Sequence, residues 1–443
     1  MSSEWPIRRL GDVIHVKHGF AFKSEFFSEQ RTQHQLVTPG NFAIGGGFQL
    51  GKGKYYCGEI PEEYVLKKGD LVVTMTDLSR GADTLGYAAI VPEVAGTTWL
   101  HNQRIGLVQN KDESAISLGY LHYLMRSPKY RHWVVSTATG STVKHTAPSR
   151  ICGFEFACPS LGEQTKIATI LDTLEGRITL LRETNATLEA IAKALFKSWF
   201  VDFDPVRAKR EERAPEGMDE ATAALFPDGF QESELGPVPR GWQLRPVYEL
   251  ATYINGAAYK AFEPNGERRG LPIVKIAELK SGVAEQTAYS DVSMPEKYRI
   301  RRGDILFSWS GNPDTSIDTF VWYQNEAWLN QHIFRVLPHR TQERAFVLQL
   351  LRHLRPTFAE LARNKQTTGL GHVTVADMKR LMVVCPDEKL IELFSKSVGS
   401  IHARIFENNR QASVLSDLQA TILPRLISGQ LCLREAEAEV LAA

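Results

Sequence analysis

The first half of this chain is written a second time in its other half. Trp5 recurs as Trp242, Gly19 as Gly256 and Phe22-Lys23 as Tyr259-Lys260, each 237 positions later. Tyr64 with Gly69-Asp70-Leu71 recurs as Tyr298 with Gly303-Asp304-Ile305 at a separation of 234, and Asn102-Gln103 as Asn330-Gln331 at 228. His145 with His372, and Cys158-Pro159 with Cys385-Pro386, stand 227 apart. The order is kept while the separation only shrinks, as expected when a second copy loses short surface-loop segments. Chance matches would scatter. A duplication this long demands two similar folded units.

Within each copy, Asp70-Leu-Val-Val-Thr-Met75 and Asp304-Ile-Leu-Phe-Ser-Trp309 are rich in β-branched and aromatic residues and follow a Lys-Gly-Asp or Arg-Gly-Asp turn. They read as strands. The stretches 118–125 and 345–354 read as helices. Each copy is therefore expected to be a mixed α+β domain of about 150 residues, a common domain size.

After each copy the periodicity changes. Ile167, Leu171, Leu174, Ile178, Leu181, Asn185, Leu188, Ala192, Leu195 and Trp199 follow one another by fours and threes, the spacing of a coiled-coil seam. The second copy supplies Ile391, Phe394, Val398, Ile401, Ile405, Asn408, Ala412, Leu415, Gln419, Ile422 and Leu426. A polar residue in such a seam costs stability but sets register and partner number. Asn185 and Asn408 are thus expected to pair across an antiparallel two-helix coil; the plainer alternative leaves each facing solvent at a helix edge. Helices of this kind, about 50 Å long at about 1.5 Å per residue, act as spacers. The whole reads as two repeated α+β domains, 1–160 and 241–387, with long helices at 161–201 and 388–430 forming an antiparallel coiled coil in pseudo-twofold array. A Pro- and acid-rich linker, 202–240, is expected to hold at most one short helix near 219–225, and a tail covers 431–443.

Net charge is +1, but it is unevenly spread. Residues 1–160 hold 17 Lys and Arg against 14 Asp and Glu, residues 235–388 hold 20 against 16, and residues 161–234 hold 9 against 15. Two separated basic blocks suit two patches facing phosphate, although the excess is modest. The five cysteines are odd in number and form no CxxC pair, which argues against a disulfide scaffold or a zinc site. No run approaches the roughly 18 consecutive apolar residues of a membrane span, and no leader is evident, so a soluble cytoplasmic protein is expected.

The search for an enzyme ends without one. Gly46-Gly-Phe-Gln-Leu-Gly51-Lys52 has phosphate-loop spacing, but Gly53 stands where Ser or Thr would hold magnesium. A Gly-rich hairpin or groove loop is the better reading. An adenine methyltransferase would need a Gly-rich cofactor loop and an Asn/Asp-Pro-Pro-aromatic motif, and Asn312-Pro313-Asp314 is one proline short. Pro386-Asp387-Glu388-Lys389 resembles a helix N-terminal charge cap more than a nuclease cluster. No histidine pattern of HExxH type occurs, and no metal site is expected.

Several local motifs carry a resemblance. Pro159-Ser-Leu-Gly-Glu163-Gln164-Thr-Lys-Ile-Ala168, Leu195-Phe-Lys-Ser-Trp-Phe-Val-Asp-Phe-Asp-Pro205-Val-Arg-Ala-Lys209, Ala214-Pro-Glu-Gly-Met-Asp219 and Leu235-Gly-Pro-Val-Pro-Arg-Gly-Trp242 resemble the specificity subunit of type I restriction-modification systems over essentially the whole chain. The resemblance implies that each copy is a target recognition domain reading one half of a split double-stranded DNA sequence, and that the chain is not catalytic. It also implies that the helices dock two methyltransferase (modification) subunits, and that a restriction/translocase subunit joins them. S-adenosylmethionine, Mg and ATP would then sit on those partners, with no cofactor in this chain. The second spacer departs from the pattern, having Glu388-Lys389 in place of Glu163-Gln164, so contacts there are expected to differ.

Base reading needs donors and acceptors in a groove, chiefly Arg or Lys for guanine and Asn or Gln for adenine. The first copy offers Thr76, Asp77, Ser79, Arg80, Asn102, Gln103, Arg104, Lys144 and His145; the second offers Trp309, Ser310, Asn312, Asn330, Gln331, His332, Lys365 and Gln366. Asn102-Gln103 and Asn330-Gln331 read equally well as a structural turn, because residues shared by both copies cannot make them read different bases. Specificity is expected where the copies differ, as at Arg80 against Asn312. Basic runs at 129–131 and 299–302 read as phosphate contacts or solvated faces, which position without specifying. The competing class is a protein-interaction scaffold with no role for DNA.

Overall fold

The computed structural model describes residues 5–79, 81–365 and 370–442. It divides into two compact units, Met1–Ile178 with Ser413–Ala443, and Thr179–Ala412.

The first domain is built on an antiparallel four-stranded sheet in the order Ile14–His18, Ile105–Asn110, Leu71–Thr74, Ala88–Ile90. A second sheet holds Phe27–Ser28, Tyr55–Tyr56, His34–Val37, Thr98–His101 and Val65–Leu66, with His34–Val37 running parallel to Thr98–His101. Strands Ile7–Arg9 and Glu155–Ala157 pair where the chain enters and leaves. The second domain repeats the plan: Ala251–Asn255, Ile333–Pro338, Ile305–Ser308 and Asp318–Val321 form the antiparallel sheet. Leu271–Val274 runs parallel to Ala327–Leu329 in the second sheet, and Gln243–Pro246 pairs with Met382–Cys385. The duplicated sequence is thus a duplicated topology.

The matched residues explain themselves locally. Asp70 and Asp304 each accept, at 2.8 Å, from the backbone N–H three residues back, closing turns in which Gly69 (φ +89°) and Gly303 (φ +96°) take a left-handed conformation that suits only glycine. A Cβ at Gly19 would lie 2.0 Å from the carbonyl oxygen of Asn102, and one at Gly256 would lie 2.1 Å from that of Asn330. Gly19 and Asn102 are therefore two sides of one close backbone approach, kept in both copies.

The spacer helices run Leu161–Phe200 and Glu388–Ile427, 40 residues each and so about 60 Å long. The first begins with a capping box: Ser160 Oγ accepts from the N–H of Glu163, whose carboxylate accepts from the N–H of Ser160. Gln164, fully buried, donates to the carbonyls of Pro159 (2.9 Å) and Ala115 (3.1 Å) and accepts from Ser117 N–H (2.8 Å), sewing the helix start to the domain above it. The second spacer starts differently, with Glu388 paired to Arg340 at 2.8 Å. In the Thr179–Ala412 unit the two helices run antiparallel: Asn185 meets Asn408, while further along the first helix Phe196 and Phe200 meet the earlier residue Phe394 at ring separations of 5.9 and 5.0 Å.

The linker expectation is corrected. The stretch contains two helices, Asp204–Arg210 and Glu220–Ala224, and a hairpin of Phe230–Gln231 with Val238–Pro239. Phe203, Val206 and Phe226 are buried in the same core as Trp199, Phe200 and Trp242. Its acids and prolines mimic a solvated linker, but three aromatic residues spaced among them, Phe203, Phe226 and Phe230, anchor it. Among the described residues no helix is long and apolar enough to cross a membrane, and no group of His, Cys, Asp and Glu could hold a metal ion.

Candidate nucleic-acid interface

Three segments singled out in the first copy converge at one end of its central sheet. The strand Leu71–Thr74 continues through Met75 into Thr76–Asp77, which pairs antiparallel with Lys144–His145. Met75 N–H donates to the carbonyl of Arg104 (2.9 Å), and Thr76 Oγ1 lies 3.1 Å from His145 Nδ1. The nominated residues then divide by orientation. Asp77 is buried; burial pushes its carboxyl up, but bonds from the backbone and hydroxyl groups of Ser79 and Thr84 prevail and hold it below the ordinary range. It organises the loop that follows. Asn102 is buried too, its Oδ1 accepting from Arg104 N–H at 3.0 Å. Gln103, Arg104 and His145 are exposed, and Ser79 and Lys144 half-buried. Arg80 lies outside the described residues.

Arg131, in the basic run 129–131, is half-buried, and its guanidinium bonds the carbonyls of Ala82 and Leu85 and so supports the same loop. Lys54 was not singled out from sequence. Its ammonium sits 3.9 Å from the ring centroid of Phe27, and partial burial together with nearby Arg104 lowers its pKa. The only signal for it was the Gly-Lys-Gly-Lys run at 51–54, where glycines dominate the reading.

In the second copy Ser310–Gly311 pairs with Gly371–His372, the counterpart of Thr76–Asp77 with Lys144–His145. Trp309 is half-buried, its indole N–H donating to Asn255 Oδ1 at 3.0 Å and its ring 5.6 Å from that of His332. Gln331 donates to Nε2 of His332 at 3.3 Å. Asn312 is exposed, but its Oδ1 accepts from Asp314 and Thr315 N–H, making a local turn. Asn330 is buried like Asn102. Lys365 is tied to Asp377 at 2.6 Å beside the Thr374 helix cap. Gln366 lies outside the described residues. In the basic run, Arg299 and Arg301 are engaged by Glu296 and Glu326. Asn255 and His372 join this rim although sequence reasoning had not nominated them as reading residues.

The two rims share a scaffold and differ in what they present. Thr76 corresponds to Ser310, His145 to His372 and Gln103 to Gln331, whereas exposed Arg104 corresponds to His332 and buried Met75 to half-exposed Trp309. The first rim is cationic, the second aromatic and amide-rich.

Comparison with known proteins agrees with this duplicated plan. A family model described as the type I restriction modification DNA specificity domain matches residues 2–190 and 239–400. The chain is 23% identical over 440 residues to the type I restriction enzyme MjaIX specificity subunit of Methanocaldococcus jannaschii, covering 98% of this chain and 94% of that one. It is 24% identical over 344 residues to the HindI specificity subunit of Haemophilus influenzae, covering 68% and 74%. The crystal structure of a type I restriction-modification S subunit from M. genitalium shares the fold, with a TM-score of 0.55 at 14% identity over 96% of each chain. With both of its repeats matched, the chain belongs to the type I restriction-modification specificity subunits, the non-catalytic DNA-specificity components of those systems.

Proposed function

We propose that the chain reads a two-part DNA target, one part with each recognition domain in the major groove, the parts about one helical turn or roughly 10 base pairs apart. Its spacer helices dock two methyltransferase subunits, which bring S-adenosylmethionine and the adenine chemistry. A restriction subunit adds ATP- and Mg-dependent translocation and cleavage. The observation that carries the reading is one scaffold built twice with unlike groups at equivalent positions, Arg104 against His332 and Met75 against Trp309. Equal scaffolds present side chains alike, so unlike groups read unlike bases: Arg suits guanine, while amide and apolar groups suit adenine and the thymine methyl. Docking is supported by apolar side chains left exposed on the spacers, Leu180 and Ile191 on the first and Val414 on the second.

The test is binding by the full chain, with its methyltransferase subunit, to duplexes randomised at each position of the target. Arg104→Ala is expected to relax one part only and Trp309→Ala the other, each by about 1–3 kcal/mol per affected base pair. A uniform loss over all sequences would make the residue a phosphate contact. One uninterrupted footprint, or both variants relaxing the same part, would defeat the two-part reading.

A further inference from the structure

Each recognition domain leans on a spacer through a helix of its own, Leu118–Leu124 in the first copy and Arg344–His353 in the second. In the second copy much of that contact is apolar, Phe346 meeting Phe196 and Phe200 of the first spacer, and apolar contact has no direction, so it resists sliding and turning poorly. Hydrogen bonds between unique partners do resist. In the first copy Arg126 donates through Nη1 to Nε2 of buried His122 at 2.8 Å and to the Glu175 carboxylate on the spacer at 3.0 and 3.3 Å. The Tyr123 hydroxyl lies 2.6 Å from Asp172 Oδ1 and 3.0 Å from Glu175 Oε2, and Arg126 Nε donates to the carbonyl of Gly45 at 2.9 Å. In the second copy buried Gln349 donates to Nε2 of His402 on the second spacer at 3.0 Å, while Arg352 pairs with Glu189 on the first. Burial lowers the His402 pKa to about 4, so this cross-bond is between neutral groups.

His122 and Gln349 stand 227 positions apart, and so do Glu175 and His402. That is the separation of His145 from His372 and of Cys158 from Cys385. Both copies therefore place polar groups at the same point of their contact with the spacer: His122 and Glu175, 3.9 Å apart, are joined through Arg126, where Gln349 and His402 bond directly.

We infer that His122, Arg126 and Glu175, and in the second copy Gln349 and His402, are positioning residues that hold each reading head at one angle on its spacer and so set how many base pairs the protein accepts between the two parts of its target. The inference rests on the two-part reading above. DNA completes a turn in about 10.5 base pairs, so one added pair rotates the next part by about 35°. A head free to swing through that angle tolerates the change; a locked head does not. Base preference lies on the rims and is a separable property.

The full chain with its methyltransferase subunit is assayed on duplexes that keep both parts of the target while the intervening length changes by one or two base pairs. The wild type is expected to lose about tenfold or more in affinity for each pair added or removed. Glu175→Gln, and independently Gln349→Met, are expected to reduce that loss to about threefold while base substitutions within each part cost what they cost the wild type. Gln349→His combined with His353→Arg and His402→Glu, which installs the first copy's His, Arg and Glu in the second, is expected to restore strict spacing. Gln349→Met is neutral and similar in size, so it decides the matter if Glu175→Gln, which strips Arg126 of its partner, does not fold. Variants as strict as the wild type overturn the inference, and so does a variant weakened equally on every sequence and spacing. A wild type that binds one uninterrupted site defeats the two-part reading itself, before any variant is considered.

Discussion

Asn408 donates from Nδ2 to Oδ1 of Asn185 over 2.9 Å, joining the second spacer helix to the first. Asn408 is fully buried and its own Oδ1 has no hydrogen-bond partner, so the pair is only half satisfied. Such a pair contributes less to stability than to the choice of register and partner. Asn408→Leu alone leaves the Asn185 amide without its bond and is expected to lower stability by about 1–3 kcal/mol in chemical denaturation. Replacing both by Leu is expected to recover that loss, at the expense of a single association state in sedimentation. Equal stability of the single and double variants would contradict this.

Gln164 satisfies three backbone groups at once where the first spacer leaves its domain. Gln164→Leu keeps the volume and removes all three bonds, leaving Ser117 N–H among the stranded groups. The expected cost is about 2–4 kcal/mol, seen as a lower denaturation midpoint at unchanged slope. Ser160→Ala, which removes only the cap, is expected to cost about 1 kcal/mol.

Gly19 and Gly256 have no room for a methyl group, the obstacle in each case being a backbone carbonyl rather than a flexible side chain. Gly19→Ala and Gly256→Ala are each expected to unfold or loosen their own domain. Limited proteolysis would read this as new cleavage confined to 5–160 for the first and 241–387 for the second.

Glu175 has its carboxyl held down at about 2: burial opposes ionisation, but His122 and Arg126 outweigh it. A carboxylate depressed in the folded state stabilises above its ordinary pKa, and that contribution fades as pH falls through the folded value. The first recognition domain is therefore expected to lose stability between about pH 4.5 and 2, with Glu175→Gln flattening that part of the profile. An unchanged acid limb in the variant, followed by circular dichroism, would exclude Glu175 as the source.

Much of this protein was legible in its residues taken in order. The repeat follows from paired anchors, and several of them prove to be local necessities: a glycine at a turn, an Asp closing it, a glycine against an Asn carbonyl. The seam periodicity located the spacers because burying one stripe of a helix imposes a repeat that any window of sequence displays. The segment 202–240 was misread because acid and proline content reports solvent exposure on average, whereas Phe203 and Phe226 are committed to a core assembled from residues far along the chain. The candidate rim was only partly legible. Sequence picked out segments that the fold brings together, but could not tell that Asp77, Asn102 and Asn330 turn inward while Gln103, Arg104 and His145 turn out, since that depends on which carbonyls and N–H groups the sheet brings within reach.

Sequence alone determined that there are two equivalent domains, where the helices lie and which positions differ between copies, because these are properties of order and period. Tertiary structure decided which side chains are spent on the fold and which remain free, and it paired Glu175 with His122 and His402 with Gln349. Those partners lie 53 positions apart in each copy, and no local pattern encodes a contact whose two ends meet only after the domain has packed on its helix.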